Sequence, residues 1–129
     1  MAERYLIDTS AVIKYLNQVF SAKAIDFIDS ILDIESNISV ITEIELQAWN
    51  PLDKNDLLVY QQFVTDSTIF RIEQNVVAKT IEIKGNYRLK IADAIIAATA
   101  LVNDFTLIAD NDKDFSKVPS LKYLNPKNL

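Results

Sequence analysis

The chain has 129 residues, half of them hydrophobic, with 13 basic and 18 acidic side chains and a net charge of −5. That length fits one domain, residues 1–129, with apolar content enough for a core without disulfide staples. Cysteine and histidine are both absent, which removes disulfides, thiolate nucleophiles, zinc sites built on those ligands and every serine–histidine triad.

Residues 5–7 (Tyr5, Leu6, Ile7) are short, apolar and β-prone, and they end abruptly at Asp8. Thr9 or Ser10 is expected to cap a helix on which Ala11, Val12, Tyr15, Leu16 and Val19 recur at helical spacing. Ser21 opens a second helix whose apolar face carries Ala24, Ile25, Phe27, Ile28, Ile31 and Leu32. Residues 37–41 alternate as a strand. Thr42 is then expected to cap a helix with Glu45 at its third position, a capping-box spacing, and that helix is expected to stop near Trp49-Asn50-Pro51.

Asp53 starts a further helix, and residues 68–72 read as a third strand. Residues 75–84 look helical, with Gly85, the single glycine, expected as a left-handed C-cap. The alanine- and isoleucine-rich stretch 91–103 predicts a buried helix, residues 106–109 a fourth strand, and residues 121–124 a short fifth. Strands alternating with helices predict an α/β, Rossmann-like three-layer fold: a mostly parallel central sheet of four to five strands flanked by helices. No run approaches the roughly 20 apolar residues of a membrane span. The start Met1-Ala2-Glu3-Arg4 lacks a signal-peptide layout, so a soluble cytoplasmic protein without a membrane partner is expected.

One glycine leaves no GxGxxG fingerprint and no phosphate-binding loop. What remains are carboxylates at strand–helix junctions: Asp8, Glu45, Asp93 and the cluster Asp110-Asn111-Asp112-Lys113-Asp114. Ligands of parallel sheets bind at the carboxyl ends of the strands, near the switch in strand order. Carboxylates gathered there repel unless a cation sits among them, and an all-oxygen donor set suits Mg²⁺ or Mn²⁺ and phosphate-ester chemistry. Each acid also has a plainer explanation. Asp8 can be a turn residue, Glu45 a capping residue, Asp93 a partner of the helix dipole, and residues 110–114 a solvated loop. The acidic balance argues against a nucleic-acid partner on average, but acids that hold metal make a site less negative than the sum.

Four stretches, in this order, resemble the PIN domain, and specifically the VapC-type toxin ribonucleases of bacterial toxin–antitoxin pairs. They are residues 5–13 with Asp8-Thr9-Ser10, residues 38–46 with Glu45 before Leu46, residues 91–101 with Asp93, and residues 107–115 ending in Phe115. The resemblance implies a PIN fold and a Mg²⁺- or Mn²⁺-dependent endoribonuclease that hydrolyses RNA with a metal-activated water, leaving a 5′-phosphate and a 3′-hydroxyl. It carries the metal and catalytic roles onto Asp8, Glu45 and Asp93, and it alone places Asp93 at the same edge as the others. For the fourth position it offers Asn111 or Asp112. Asp112 is taken as the ligand, Asn111 as a supporting or water-mediated one, and Asp110 as an adjacent candidate. Thr9 or Ser10 is expected to orient Asp8 or a bound water. The family's usual threonine before this motif is Ala109 here. The resemblance further implies a cognate antitoxin protein and a homodimer.

Lys14, Arg88 and Lys90 flank the site in sequence and are candidate RNA phosphate contacts, with Arg71 and Lys84 as weaker ones. Trp49 and the tyrosines can stack on bases but serve more often as core or interface. Two other readings compete: a PIN-fold protein that acts by protein–protein interaction without cutting, and a receiver-like phosphoacceptor. The second fits poorly, because the first strand offers only Asp8 at its end.

Overall fold

The computed structural model describes residues 2–48 and 53–129. Its elements run β1 (Tyr5–Ile7), α1 (Thr9–Leu16), α2 (Ala22–Leu32), β2 (Asn37–Ser39), α3 (Val40–Ala48), α4 (Lys54–Thr65), β3 (Thr68–Phe70), α5 (Gln74–Asn86), α6 (Ile91–Val102), β4 (Thr106–Ile108), α7 (Asp112–Phe115) and β5 (Tyr123–Leu124). Every strand pair is parallel: β1 with β4, β4 with β5, and β2 with β3. The two ladders meet where the buried Asn37 amide donates to the Tyr5 carbonyl at 3.0 Å. The ladders form two sheets, β1-β4-β5 and β2-β3, with β2 beside β1, so the lateral order is β3-β2-β1-β4-β5, and it reverses between β1 and β4, where such sheets bind ligands.

The period-2 alternation of β1 and β4 divides the core between two helical layers. Leu6 and Leu107 sit side by side in the ladder and pack with Val76, Ile83, Ala94 and Ala97 of α5 and α6. Ile7 and Ile108, the next pair, face the opposite way with Ile38 and pack with Val12, Ile31, Leu46 and Tyr60 of α1 to α4. A one-residue slip would exchange these sets, so burial on both faces pins the register. On α6, Ala94, Ile96, Ala97, Ala98, Thr99 and Ala100 are all buried, and the small alanines let the helix lie close against its neighbours. Thr99 satisfies its hydroxyl by donating to the Ile95 carbonyl at 2.7 Å.

Three local expectations are corrected. Asp8 itself caps α1, its side chain accepting from the Ser10 N–H. Strand β2 stops at Ser39, whose hydroxyl accepts from the Ile41 N–H at 3.0 Å. Helix α3 therefore starts at Val40, Thr42 lies inside it, and the capping box of Thr42 and Glu45 does not form. Gly85 is not a left-handed cap. No glycine has positive φ, and α5 runs through it to Asn86, because the Tyr87 N–H still reaches the Ile83 carbonyl at 2.9 Å. The expected helix end at Trp49-Asn50-Pro51 lies outside the described residues. Among the described residues no helix is long and apolar enough to cross a membrane.

Candidate metal centre

The ends of β1 and β4 are tied together before any acid is considered. The Asp8 N–H donates to the Ile108 carbonyl at 2.9 Å, and the Asp110 N–H donates to Ser10 Oγ at 3.1 Å. The same Ser10 hydroxyl donates to Asp8 Oδ2 at 2.6 Å, and the Ser10 N–H reaches that oxygen at 3.2 Å. Asp8 is buried, 6 % exposed, and both of these bonds fall on Oδ2. Burial pushes the Asp8 carboxyl up to about 6 against the pull of Ser10, and the charges of Asp93 and Glu45 push it the same way.

Those two acids arrive from opposite layers. Glu45 projects from α3, where Thr9 Oγ1 donates to its Oε1 at 2.6 Å. The buried Thr42 hydroxyl lies 3.0 Å from Thr9 Oγ1 and completes the chain. Asp93 stands in the first turn of α6, half-buried. Burial raises its pKa, and so do the neighbouring charges of Asp114 and Glu45, while Lys90 opposes them. Asp8, Glu45 and Asp93, distant in sequence, thus act on one another at the switch point. Among the described residues none of the three is in a salt bridge.

The segment after β4 divides its acids. Asp110 forms a salt bridge with Lys14 and accepts from Asn125 Nδ2 at 2.8 Å. Asp112 Oδ1 takes the Tyr123 hydroxyl at 2.6 Å and the Asn125 amide at 3.0 Å. Both carboxyls lie below the usual carboxylate range, Asp110 chiefly through Lys14 and Asp112 chiefly through Tyr123. Asn111 caps α7, its Oδ1 accepting from the Asp114 N–H at 3.4 Å, and its Nδ2 donates to Asp114 Oδ2 at 3.2 Å. Burial pushes Asp114 up, but Asn111 and Lys117 outweigh it and hold its pKa below the usual range.

The structure thus brings Asp8, Glu45 and Asp93 into mutual influence, with Thr9 and Ser10 as their local donors. Asp110 and Asp112 point into a separate network. Asp114, Thr42, Tyr123, Asn125 and Lys117 belong to the arrangement without having been singled out from the sequence. For Asp114 a signal was present: asparagine three residues ahead of an acid is an N-cap pattern, and it turns residues 111 and 114 to one side of a short helix. Of the candidate basic contacts, Lys14 is engaged by Asp110, while Arg88 and Lys90 are exposed beside the start of α6.

The donor chemistry fits a hard divalent cation: oxygen ligands only, and like charges pressing on a buried carboxylate. Among the described residues no three acids stand close enough to hold an ion as the side chains lie. The individual contacts account for that. Glu45 is drawn toward Thr9, and mutual repulsion favours such spreading.

The family model of the PIN domain matches residues 5–121. No curated protein matches the chain. Among solved structures, a toxin–antitoxin complex from Klebsiella pneumoniae is similar at 24% identity and TM-score 0.73, covering 95% of this chain and 97% of the other. DNA-bound VapBC from Salmonella typhimurium shares 18% identity at TM-score 0.79, with 97% and 99% covered. FitAcB from Neisseria gonorrhoeae shares 22% identity at TM-score 0.78, with the same coverage.

Proposed function

The chain belongs to the PIN-domain family, and from that premise we propose that it is a Mg²⁺- or Mn²⁺-dependent endoribonuclease, the toxin of a toxin–antitoxin pair. Nuclease activity is the family's kind. The observation that carries the proposal is the buried Asp8 carboxylate at the β1–β4 switch point, held by Ser10 while the adjacent Thr9 reaches Glu45 from the neighbouring helix. These three residues, with a fourth acid from the segment after β4, hold the cation. When bound, a divalent ion supplies the positive charge that stabilises phosphodiester hydrolysis.

The chain's own residues do the rest. Ser10 fixes Asp8 through Oδ2, and Thr9 fixes Glu45 through Oε1. Asp8 need not search for its orientation, so less entropy is lost when a ligand is gripped, while Glu45 leaves Thr9 to close on the same point. Asp8 keeps a proton up to a pH of about 6 while no ion competes for it. Arg88 and Lys90 are placed to meet backbone phosphates of the RNA beside the start of α6.

A cognate antitoxin, a homodimer and a cytoplasmic setting complete the reading. The antitoxin is supported by the shared fold with chains of solved toxin–antitoxin complexes, and apolar side chains such as Leu58 and Val59 stand exposed on α4. The test is an RNA-cleavage assay with Mn²⁺, with EDTA, and with Asp8→Asn. Cleavage lost in the last two supports the proposal; cleavage that survives both sinks it. One observation favours a second reading, a PIN-fold protein that binds partners without cutting: among the described residues, as they lie, no three acids close on a common point. Calorimetric titration with Mn²⁺ separates the two, since only the nuclease binds the ion.

A further inference from the structure

We propose that Lys84 and Lys117 are positioning residues: their ammonium groups clamp the backbone of the α5–α6 loop and so hold Arg88 and Lys90 out toward the RNA. This rests on the proposed nuclease reading and names two residues that act on its substrate through others. Lys84 lies in the last turn of α5, and its Nζ donates to the Leu89 carbonyl at 2.6 Å. Lys117 reaches the same loop from beyond α7, its Nζ donating to the Arg88 carbonyl at 2.8 Å. A second, longer bond of 3.4 Å runs from Lys117 to Asp114 Oδ1. Two successive carbonyls of one short loop are thus each met by a cation from a different part of the fold. Bonds from an ionised donor are stronger than neutral ones.

The start of α6 offers little fastening of its own. The helix has no side-chain cap, and its N-cap residue is Lys90 itself. The Leu89 N–H turns back to the Tyr87 carbonyl at 3.2 Å, a tight bend centred on Arg88. Leu89 is buried in the core with Val76, Ile83 and Ala94, while Arg88 and Lys90 on either side of it are exposed. One inward side chain therefore separates two outward cations, and the clamp bears on the two carbonyls between them. Among the described residues Lys84, Arg88 and Lys90 enter no salt bridge. The two loop cations are thus free for an anion, whereas the Lys84 ammonium is spent on backbone. Asp93 depends less on the clamp, because burial of Ala94, Ala97 and Ala98 sets α6 independently.

Anisotropy titration with a fluorescent, mixed-sequence single-stranded RNA across a salt series tests the clamp, on an Asp8→Asn parent that suppresses cleavage. Lys84 is exposed, so Lys84→Met should fold, as its melting temperature will check. It is expected to weaken RNA binding roughly three- to tenfold, the scale of the entropy needed to order loosened side chains. The slope of log affinity against log salt should stay that of the parent, because no phosphate contact is lost. Arg88→Gln is expected to flatten that slope by about 0.7, one contact fewer. Added to Arg88→Gln and Lys90→Gln together, Lys84→Met should cause no further loss, since it acts through them. Lys117→Met should repeat the behaviour of Lys84→Met. A slope flattened by Lys84→Met as much as by Arg88→Gln makes Lys84 a direct phosphate contact and overturns the clamp. Unchanged affinity in both lysine variants overturns it too, and in either case RNA binding by the parent leaves the nuclease reading standing. A folded wild type that neither binds nor cuts RNA overturns both.

Discussion

The two strand ends that meet at the reversal of strand order carry their acids differently. At the end of β1 a single carboxylate is buried, held through one oxygen by Ser10, and pressed by two acids from other elements. At the end of β4 three aspartates fall within five residues, yet Asp110 and Asp112 are each matched to donors: Lys14, Asn125 and Tyr123. The first arrangement stores electrostatic strain and the second dissipates it. The number of acids in a stretch is therefore a poor guide to where a cation belongs. What distinguishes a site is charge that the protein has not already neutralised.

The largest test of that contrast is Asp8→Asn. It is expected to reduce Mn²⁺-dependent RNA cleavage roughly a hundredfold or more, read by the rate of RNA cleavage at saturating Mn²⁺. Asp110→Asn, at the other strand end, should leave most of the activity. Equal losses in the two would erase the distinction between strained and neutralised acids.

The same contrast has a pH signature in the metal-free protein. Asp8 in the fold is raised from 3.8 to about 6, so between those values the folded state holds a proton that the unfolded chain has released. Stability contributed by the protonated form is complete below about 4 and is lost as pH rises through about 6, a fall on the order of 3 kcal/mol. Asp93, also raised, works in the same direction. Asp110, Asp112 and Asp114 are lowered; their contribution is present above the unfolded carboxylate value and is lost as pH falls below it. Melting temperatures in EDTA across this range should therefore fall between pH 4 and 6 in the wild type and stay nearly level in Asp8→Asn. Added Mn²⁺ should reverse the trend, because its ligands must be deprotonated.

Asn125→Ala probes the neutralised side. Removing one buried amide strips a donor from both Asp110 and Asp112, at a cost of about 1–3 kcal/mol, read by denaturant unfolding. If the variant loses less than Ser10→Ala, the bridge from the chain's end matters less than the bond between the strand ends.

Much of the β1 side was legible in sequence because it depends on local signals. An apolar run that ends at an aspartate followed by Thr9-Ser10 announces a strand end and a helix start, and the structure builds both there. Asp93 in the first turn of an alanine-rich helix was equally plain. The misreadings arose where two local signals competed. Ser39 and Thr42 can each cap a helix, and pairing of β2 with β3 stops at Ser39. Gly85 looked like a terminus, but the ladder of hydrogen bonds continues past it. The difference between Asp112 and Asp114 was hidden for another reason. It depends on a four-residue helix set by Phe115 and on Tyr123 and Asn125, which lie about ten residues downstream. No periodicity in so short a stretch records which way each acid turns.

Lys14→Met has the smallest expected effect and tests whether the neutralised side is neutral by design of its pairs or merely by exposure. The Lys14 side chain is 41 % exposed and that of Asp110 11 % exposed, so solvent screens the pair and its loss should cost at most about 1 kcal/mol. Asp110 also keeps Asn125, and its backbone N–H keeps Ser10. The methionine keeps an apolar stem of similar length, leaving charge as the variable removed. A small stability loss that shrinks further in high salt fits a screened surface pair. A larger loss, together with weakened Mn²⁺ binding, would mean that Lys14 restrains Asp110 from joining the strained acids. The two strand ends would then be a single electrostatic unit held apart by one ammonium group.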